Sequence, residues 1–296
     1  MKHETPPALT DSVHPRNFRG NAYVYPVLSR RAGGISVGIN LNPGKVCTFG
    51  CIYCQVDRET PPPQRYVNLS RLLGELAGVL SGLVPGGTLW GEAEFAPLPA
   101  GQKRVADVAF SGDGEPTMFH GFSAAVEQCV FVKERFGPVF GGAKVVLITN
   151  ATGLDRAEVR HALEFLDEHN GEVWAKLDAG TPAYFARINS ATVPYLKVLG
   201  NIWACARERP IVIQSCFVRL DGAAPPPEEL GAYVSRLKEI AAQGGKIKLV
   251  QVYTIARPPG TKGISSLSDA EVNEIAARVR SETGLRAEAY YGRVGS

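Results

Sequence analysis

Cys47-Thr48-Phe49-Gly50-Cys51-Ile52-Tyr53-Cys54 sets three thiols within eight residues, with three and then two residues between them. The run follows the apolar stretch 35–41, and Gly44, Lys45, Thr48 and Gly50 supply turn chemistry. One loop of this length can wrap a single metal centre. Three ligands are one fewer than a closed cluster or a structural zinc site takes. An open coordination position next to a strand end points to a metal that binds and activates something. Thiolates suit iron–sulfur clusters, and three of them leave one iron of a [4Fe–4S] cubane open to another ligand. Zinc would need a fourth Cys or His, and the nearest histidines are His14 and His120. Three chance cysteines packed as small hydrophobes are the remaining alternative.

Composition narrows the classes around this loop. The chain has 296 residues, 45% of them hydrophobic and 21% charged, which is ordinary for a globular protein with a sizeable core. A net charge of +3 with no basic stripe argues against a nucleic-acid or membrane surface as the main partner. No stretch reaches the roughly 18 apolar residues of a membrane span. Residues 1–20 are polar and lack an apolar h-region, so a cytoplasmic location is expected. Cys129, Cys205 and Cys216 are scattered in apolar stretches and read as buried thiols.

Apolar runs of strand length fall at 35–41, 105–110, 144–149, 172–177, 211–217, 247–254 and 286–290. Between them, helical periodicity covers 69–83, 122–136, 155–170, 195–207, 227–243 and 269–283. Ser268 with Glu271 three residues on forms a capping box for the last of these. Strand followed by helix, repeated six or so times, means parallel strands with right-handed crossovers. The expected fold is α/β: a partial (βα)6 TIM-like barrel in a single domain. Residues 1–34 read as an N-terminal arm, 35–296 as the barrel, and the Gly- and Pro-rich stretch 85–103 as an inserted loop.

Period-two alternation then sorts the strand residues by face. In Glu172-Val173-Trp174-Ala175-Lys176-Leu177-Asp178, the apolar Val173, Ala175 and Leu177 face the helices. Trp174, Lys176 and Asp178 point to the opposite face. Asp107 pairs in this sense with Ser111, Gln214 with Cys216, and Gln251 with Tyr253. Polar groups near C-terminal strand ends indicate a ligand cavity, whereas a barrel filled for stability carries branched apolar residues inward. A half-solvated sheet would also alternate. Lys176 could form a Schiff base if its pKa were lowered, hold an anion, or pair with Asp178. Cys216 could donate a hydrogen atom to a product radical or simply pack.

The cysteine loop, with aromatic Tyr53 before its last thiol, resembles the cluster motif of radical S-adenosylmethionine (radical SAM) enzymes. The segment Ser111-Gly112-Asp113-Gly114-Glu115-Pro116-Thr117 resembles that superfamily's glycine-rich strand end. A dinucleotide-binding reading fails there, because the third glycine is missing. The finer similarity, over residues 36–260, is to the wyosine-synthase-like group. It is carried by Phe110–Thr117, Ile148-Thr149-Asn150, 173–178 and 252–259. The resemblance implies a [4Fe–4S] cluster on Cys47, Cys51 and Cys54, whose open iron is chelated by the amino and carboxylate groups of S-adenosylmethionine. Reductive cleavage then gives a 5′-deoxyadenosyl radical, and the protein supplies orientation. It further implies cofactor contacts from Tyr53, Gly112, Asp113, Gly114, Glu115, Thr149, Asn150, Gln214, Gln251 and Tyr253. Lys176, Asp178 and Cys216 are the candidate catalytic residues. A flavodoxin- or ferredoxin-like donor would provide electrons, and the substrate would be a polar small molecule or nucleotide. A tRNA substrate is the second reading: tricyclic wyosine formation uses upstream cluster cysteines, and residues 1–46 contain none. A non-catalytic electron carrier or redox sensor is the third, and would usually supply four thiolates.

Overall fold

The computed structural model describes residues 8–10, 16–257 and 259–292. They fall into two compact units. The first comprises Met1–Val46, Pro62–Leu147 and Glu158–Gly171, and the second Cys47–Pro61, Ile148–Ala157 and Glu172–Ser296.

In the first unit, β1 (Val24–Ser29) runs antiparallel to β2 (Gly34–Ile39), Val24 opposite Ile39. Then follow α1 (Leu69–Gly82), β3 (Val105–Phe110), α2 (Phe122–Glu134), β4 (Lys144–Thr149) and α3 (Ala157–Glu168). β2, β3 and β4 are neighbours in that order and parallel. All six residues of β2 are buried, as strands covered on both faces must be. α1 buries Leu72, Leu76, Val79 and Leu80, one stripe at a helical period of three to four. Its start is capped by Asn68, whose side chain accepts from Arg71 N at 3.0 Å.

β1 lies inside the segment 1–34, where an arm was expected. Pro26 in its middle is compatible with a sheet edge, where one face of the ladder needs no donor. Glu75 of α1 ties the strand down: its carboxylate accepts from the backbone N–H groups of Ala22 (2.9 Å), Tyr23 (2.8 Å) and Val24 (3.2 Å). Residues 1–7 and 11–15 of that arm, His14 among them, lie outside the described residues. Within 85–103 the chain forms two short 3-10 helices, Thr88–Gly91 and Ala100–Gln102.

The second unit contains β5 (Gly171–Lys176), α4 (Pro182–Asn189), α5 (Tyr195–Glu208), β6 (Ile211–Cys216) and β7 (Val218–Leu220). It continues with α6 (Pro227–Ala242), β8 (Ile247–Tyr253), β9 (Ile264–Ser266), α7 (Asp269–Thr283) and β10 (Ala287–Tyr290). β5, β6, β8 and β10 are parallel neighbours in that order, while β7 and β9 form a separate antiparallel pair. Ile211, Ile213, Val250 and Val252 are essentially inaccessible, and Leu237, Val272 and Ala276 from the helices are equally buried. The register places Lys176 beside Gln214, Gln214 beside Gln251, and Cys216 beside Tyr253. Neighbours in a parallel register present their side chains to the same face. Cys129, Cys205 and Cys216 are buried and take part in no disulfide. Among the described residues, no helix is long and apolar enough to cross a membrane.

Candidate metal and cofactor site

The cysteine loop opens the second unit and is held in shape by its own backbone. Gly50 N donates to Asn189 O (2.8 Å), Ile52 N to Ile188 O (2.9 Å), Cys54 N to Cys51 O (2.9 Å) and Thr192 N to Thr48 O (3.0 Å). Phe49 packs edge-on against Phe185 of α4 with centroids 5.3 Å apart. Asn150 fastens the other side. Its Nδ2 donates to Thr48 Oγ1 (2.9 Å), and its Oδ1 accepts from Thr152 N (3.0 Å) and Thr152 Oγ1 (2.7 Å). Thr48 and Thr152 hydroxyls meet at 2.8 Å. The neighbouring Thr149 is buried, and its Oγ1 accepts from Ala151 N at 3.0 Å. Ala151 has φ 66°, a left-handed turn that a Cβ-bearing residue adopts at some cost.

Each of the three sulfurs receives an N–H. Cys47 Sγ accepts from Phe49 N (3.5 Å) and Asn150 Nδ2 (3.7 Å), Cys51 Sγ from Asn189 Nδ2 (3.4 Å), and Cys54 Sγ from an Arg58 guanidinium N–H (4.0 Å). None is in a disulfide. Among the described residues no three Cys, His, Asp or Glu gather as a site for one ion. Thiolates that each bind a different iron of a cubane need no such convergence. The donor set, three thiols with N–H groups aimed at their sulfurs, therefore fits an iron–sulfur cluster better than a single zinc. Burial pushes the Cys51 thiol up to about 11, against the pull of Lys176 and the Asn189 N–H, so metal binding there must expel a proton.

A second polar group surrounds Asp178, whose side chain is wholly buried. Its Oδ2 accepts from Tyr53 OH and from Asn189 Nδ2 (2.8 Å), and its Oδ1 accepts from Cys216 N (2.9 Å). Lys176 Nζ stands 3.6 Å from Asp178 Oδ2 and donates to Tyr253 OH at 2.8 Å. The same ammonium lies 5.0 Å from the Tyr53 ring centroid and 5.5 Å from that of Tyr253. Burial alone would lower the Lys176 pKa, yet Asp178, followed by Tyr253, Cys51 and Cys216, holds it well above the ordinary lysine value. An ammonium held charged in this way is an electrostatic element and not an amine nucleophile, the opposite of what a Schiff base needs. Burial, then Asp178, raises the Tyr53 phenol well above its usual range, so the ring keeps its proton and donates it. Gln214 Nε2 donates to Gln251 Oε1 at 2.8 Å, both side chains being buried. The alternation read from sequence thus brings Lys176, Asp178, Gln214, Gln251 and Tyr253 to one face.

The glycine-rich segment belongs to the first unit. A Cβ on Gly114 would sit 2.0 Å from Val46 O, so the backbones approach too closely for any other residue. Glu115 N donates to Val46 O (2.9 Å), and Asn42 Nδ2 donates to Glu115 O (2.6 Å). The Glu115 carboxylate accepts from Thr117 N (3.2 Å) and Oγ1 (2.7 Å), capping the short 3-10 turn Pro116–Met118. Asp113 accepts from Asn40 Nδ2 (2.7 Å) and pairs with Arg16 at 3.0 Å. A Cβ on Gly112 would strike the Asn40 side chain. Asn40, Asn42, Thr152 and Asn189 escaped the sequence reading, which gave Thr48 only as turn chemistry. Asn189 carried a faint signal, since Thr181 and Pro182 mark the start of the helix it ends.

No protein-family model matches the chain. Among curated proteins, a GTPase Obg of Brachyspira hyodysenteriae is 26% identical over 167 residues, or 55% of this chain and 20% of that protein. A UPF0026 protein of Synechocystis is 30% identical over 168 residues, 55% of this chain and 51% of its own length. A UPF0026 protein of Helicobacter pylori is 24% identical over 254 residues, 83% of this chain and 70% of that protein. The chain spans about a fifth and a half, respectively, of the first two relatives. Among solved structures, Streptococcus suis SuiB bound to S-adenosylmethionine superposes with TM-score 0.57 at 13% identity, covering 88% of this chain and 52% of SuiB. SuiB bound to its precursor peptide SuiA gives TM-score 0.54 at 13% identity, covering 86% and 48%. The likeness shows the fold. It is the α/β arrangement of parallel strands and covering helices expected of a partial (βα)6 barrel.

Proposed function

We propose that the chain is a radical SAM enzyme of the wyosine-synthase-like kind, working in the cytoplasm on a polar small molecule or nucleotide. The observation that carries this reading is the loop Cys47–Cys51–Cys54, with no disulfide and with an N–H directed at every sulfur. The strand-and-helix fold it shares with a protein solved with S-adenosylmethionine supports it. With a [4Fe–4S] cluster and S-adenosylmethionine bound, such a site supplies a 5′-deoxyadenosyl radical. The rest falls to the chain. Cys47, Cys51 and Cys54 hold iron, and Gly112, Asp113, Gly114 and Glu115 present backbone and carboxylate to the methionine ammonium. Thr149 and Asn150 are assigned to the ribose or carboxylate, and Tyr53, Gln214, Gln251 and Tyr253 to the adenosine side. Lys176, kept charged by Asp178, draws an anionic or carbonyl oxygen of the substrate. Cys216 is assigned as the hydrogen donor to a product radical. A flavodoxin- or ferredoxin-like protein delivers the electron.

The test is anaerobic reconstitution with iron and sulfide, reduction with dithionite, and addition of S-adenosylmethionine. A cubane signal in paramagnetic resonance and release of 5′-deoxyadenosine are expected. A four-sulfur carrier would show the first and not the second, and a protein showing neither ends the proposal. Deuterated candidates then identify the substrate by label transfer into 5′-deoxyadenosine. Because SuiB is solved with a precursor peptide, a peptide belongs in that panel beside nucleotides, small acids and tRNA.

A further inference from the structure

Asn189 closes α4, is fully buried, and spends both amide hydrogens on acidic neighbours. One goes to Asp178 Oδ2 at 2.8 Å and the other to Cys51 Sγ at 3.4 Å. Its Oδ1 is buried without a hydrogen-bond partner. A residue that served packing alone would not leave a buried carbonyl unsatisfied, so the amide's value lies in its donors. Its orientation is fixed by charge: turned over, the carbonyl would face the Asp178 carboxylate. Asp178 is in turn fixed by Tyr53 OH and Cys216 N. The chain carboxylate–amide–thiol parallels the carboxylate–imidazole–metal relay that orients ligands in other metal sites.

We propose that Asn189 is a positioning residue for the cluster, holding the Cys51 thiolate by an N–H···S bond that raises the cluster's reduction potential, with Asp178 aiming the amide. The inference rests on the cluster reading above. An N–H directed at a ligating sulfur withdraws charge from it, which favours the reduced cluster, the more negative of the two states. Asn150, donating to Cys47 Sγ at 3.7 Å, does the same more weakly at the first thiol.

The experiment compares the reconstituted full chain with its Asn189→Leu variant by redox titration followed by paramagnetic resonance. At the poise that half-reduces the wild type, the reduced-to-oxidised ratio of Asn189→Leu is expected to fall about tenfold, or about 59 mV for one electron. An unchanged midpoint in a variant that holds its cluster overturns the inference. In parallel, wild-type protein labelled with 15N-asparagine is examined by pulsed resonance. A nitrogen coupling to the reduced cluster that persists in Asn150→Leu supports the inference. No asparagine coupling in the wild type overturns it, whatever the variants do. Wild-type protein that takes up no cluster overturns the underlying reading itself.

Discussion

Lys176 and Asp178 are the residues on which the interior turns. The carboxylate is completely buried and the ammonium nearly so, 3.6 Å apart. Removing one member of a buried pair costs far more than removing both, because the survivor stays charged without its partner. Lys176→Met is therefore expected to lower stability by about 3 kcal/mol, the low end for such pairs because Asp178 keeps its other hydrogen bonds. Lys176→Met with Asp178→Asn should recover most of that loss. Urea titrations of the two variants decide it: a single mutant as stable as the double would show that the pair carries no charge worth compensating. Sequence alternation reached both residues but could not say which way the lysine would titrate. That depends on burial set against Asp178, then Tyr253, Cys51 and Cys216, and the last three approach from sequence positions with no local relation to it.

At the level of elements, α7 shows how much local chemistry reveals. Ser268 accepts from Glu271 N at 3.3 Å, and Glu271 answers with a bond from Ser268 N at 2.9 Å, closing the box legible in the sequence. Ser268→Ala is expected to cost about 1 kcal/mol in thermal or urea unfolding. Hydrogen bonding from the Ser268 backbone, aided by its side chain and by Arg219, lowers the Glu271 pKa below the ordinary 4.5. A carboxylate lowered on folding stabilises fully above its unfolded value and loses that contribution as pH falls through the folded one. The stability gap between wild type and Glu271→Gln should thus be constant near neutrality and close below about pH 4.5. A gap that widens on acidification would contradict the assignment. The elements missed in the sequence lacked such signals. β1 hid behind Pro26, β7 and β9 are three residues each, and α4 is two turns long. Periodicity needs more residues than these offer.

Across the whole molecule, the strand–helix alternation was legible because apolar runs and helical stripes are local. The support of the site was not. Asn189 meets Cys51 from 138 positions away, and Asn150 meets Cys47 from 103. Only the folded chain brings them together. Because that support consists of backbone and amide bonds, the cysteine loop is expected to keep its form without iron. Chelator-treated protein is expected to retain its far-ultraviolet circular dichroism and a single cooperative thermal transition. This is unlike zinc fingers, whose folding is metal binding. Loss of cooperativity on iron removal would show that the loop is organised by its metal after all.

The clasp of Glu75 on the start of β1 bears on how this protein would fail. Three backbone N–H groups of adjacent residues depend on that one carboxylate. Glu75→Ala should let the strap peel, baring the Gly34–Ile39 ladder to another copy of itself. Light scattering on gentle warming should then report clumping well before any melting of the helices. The first sign of damage in a stored sample would be turbidity rather than lost chemistry.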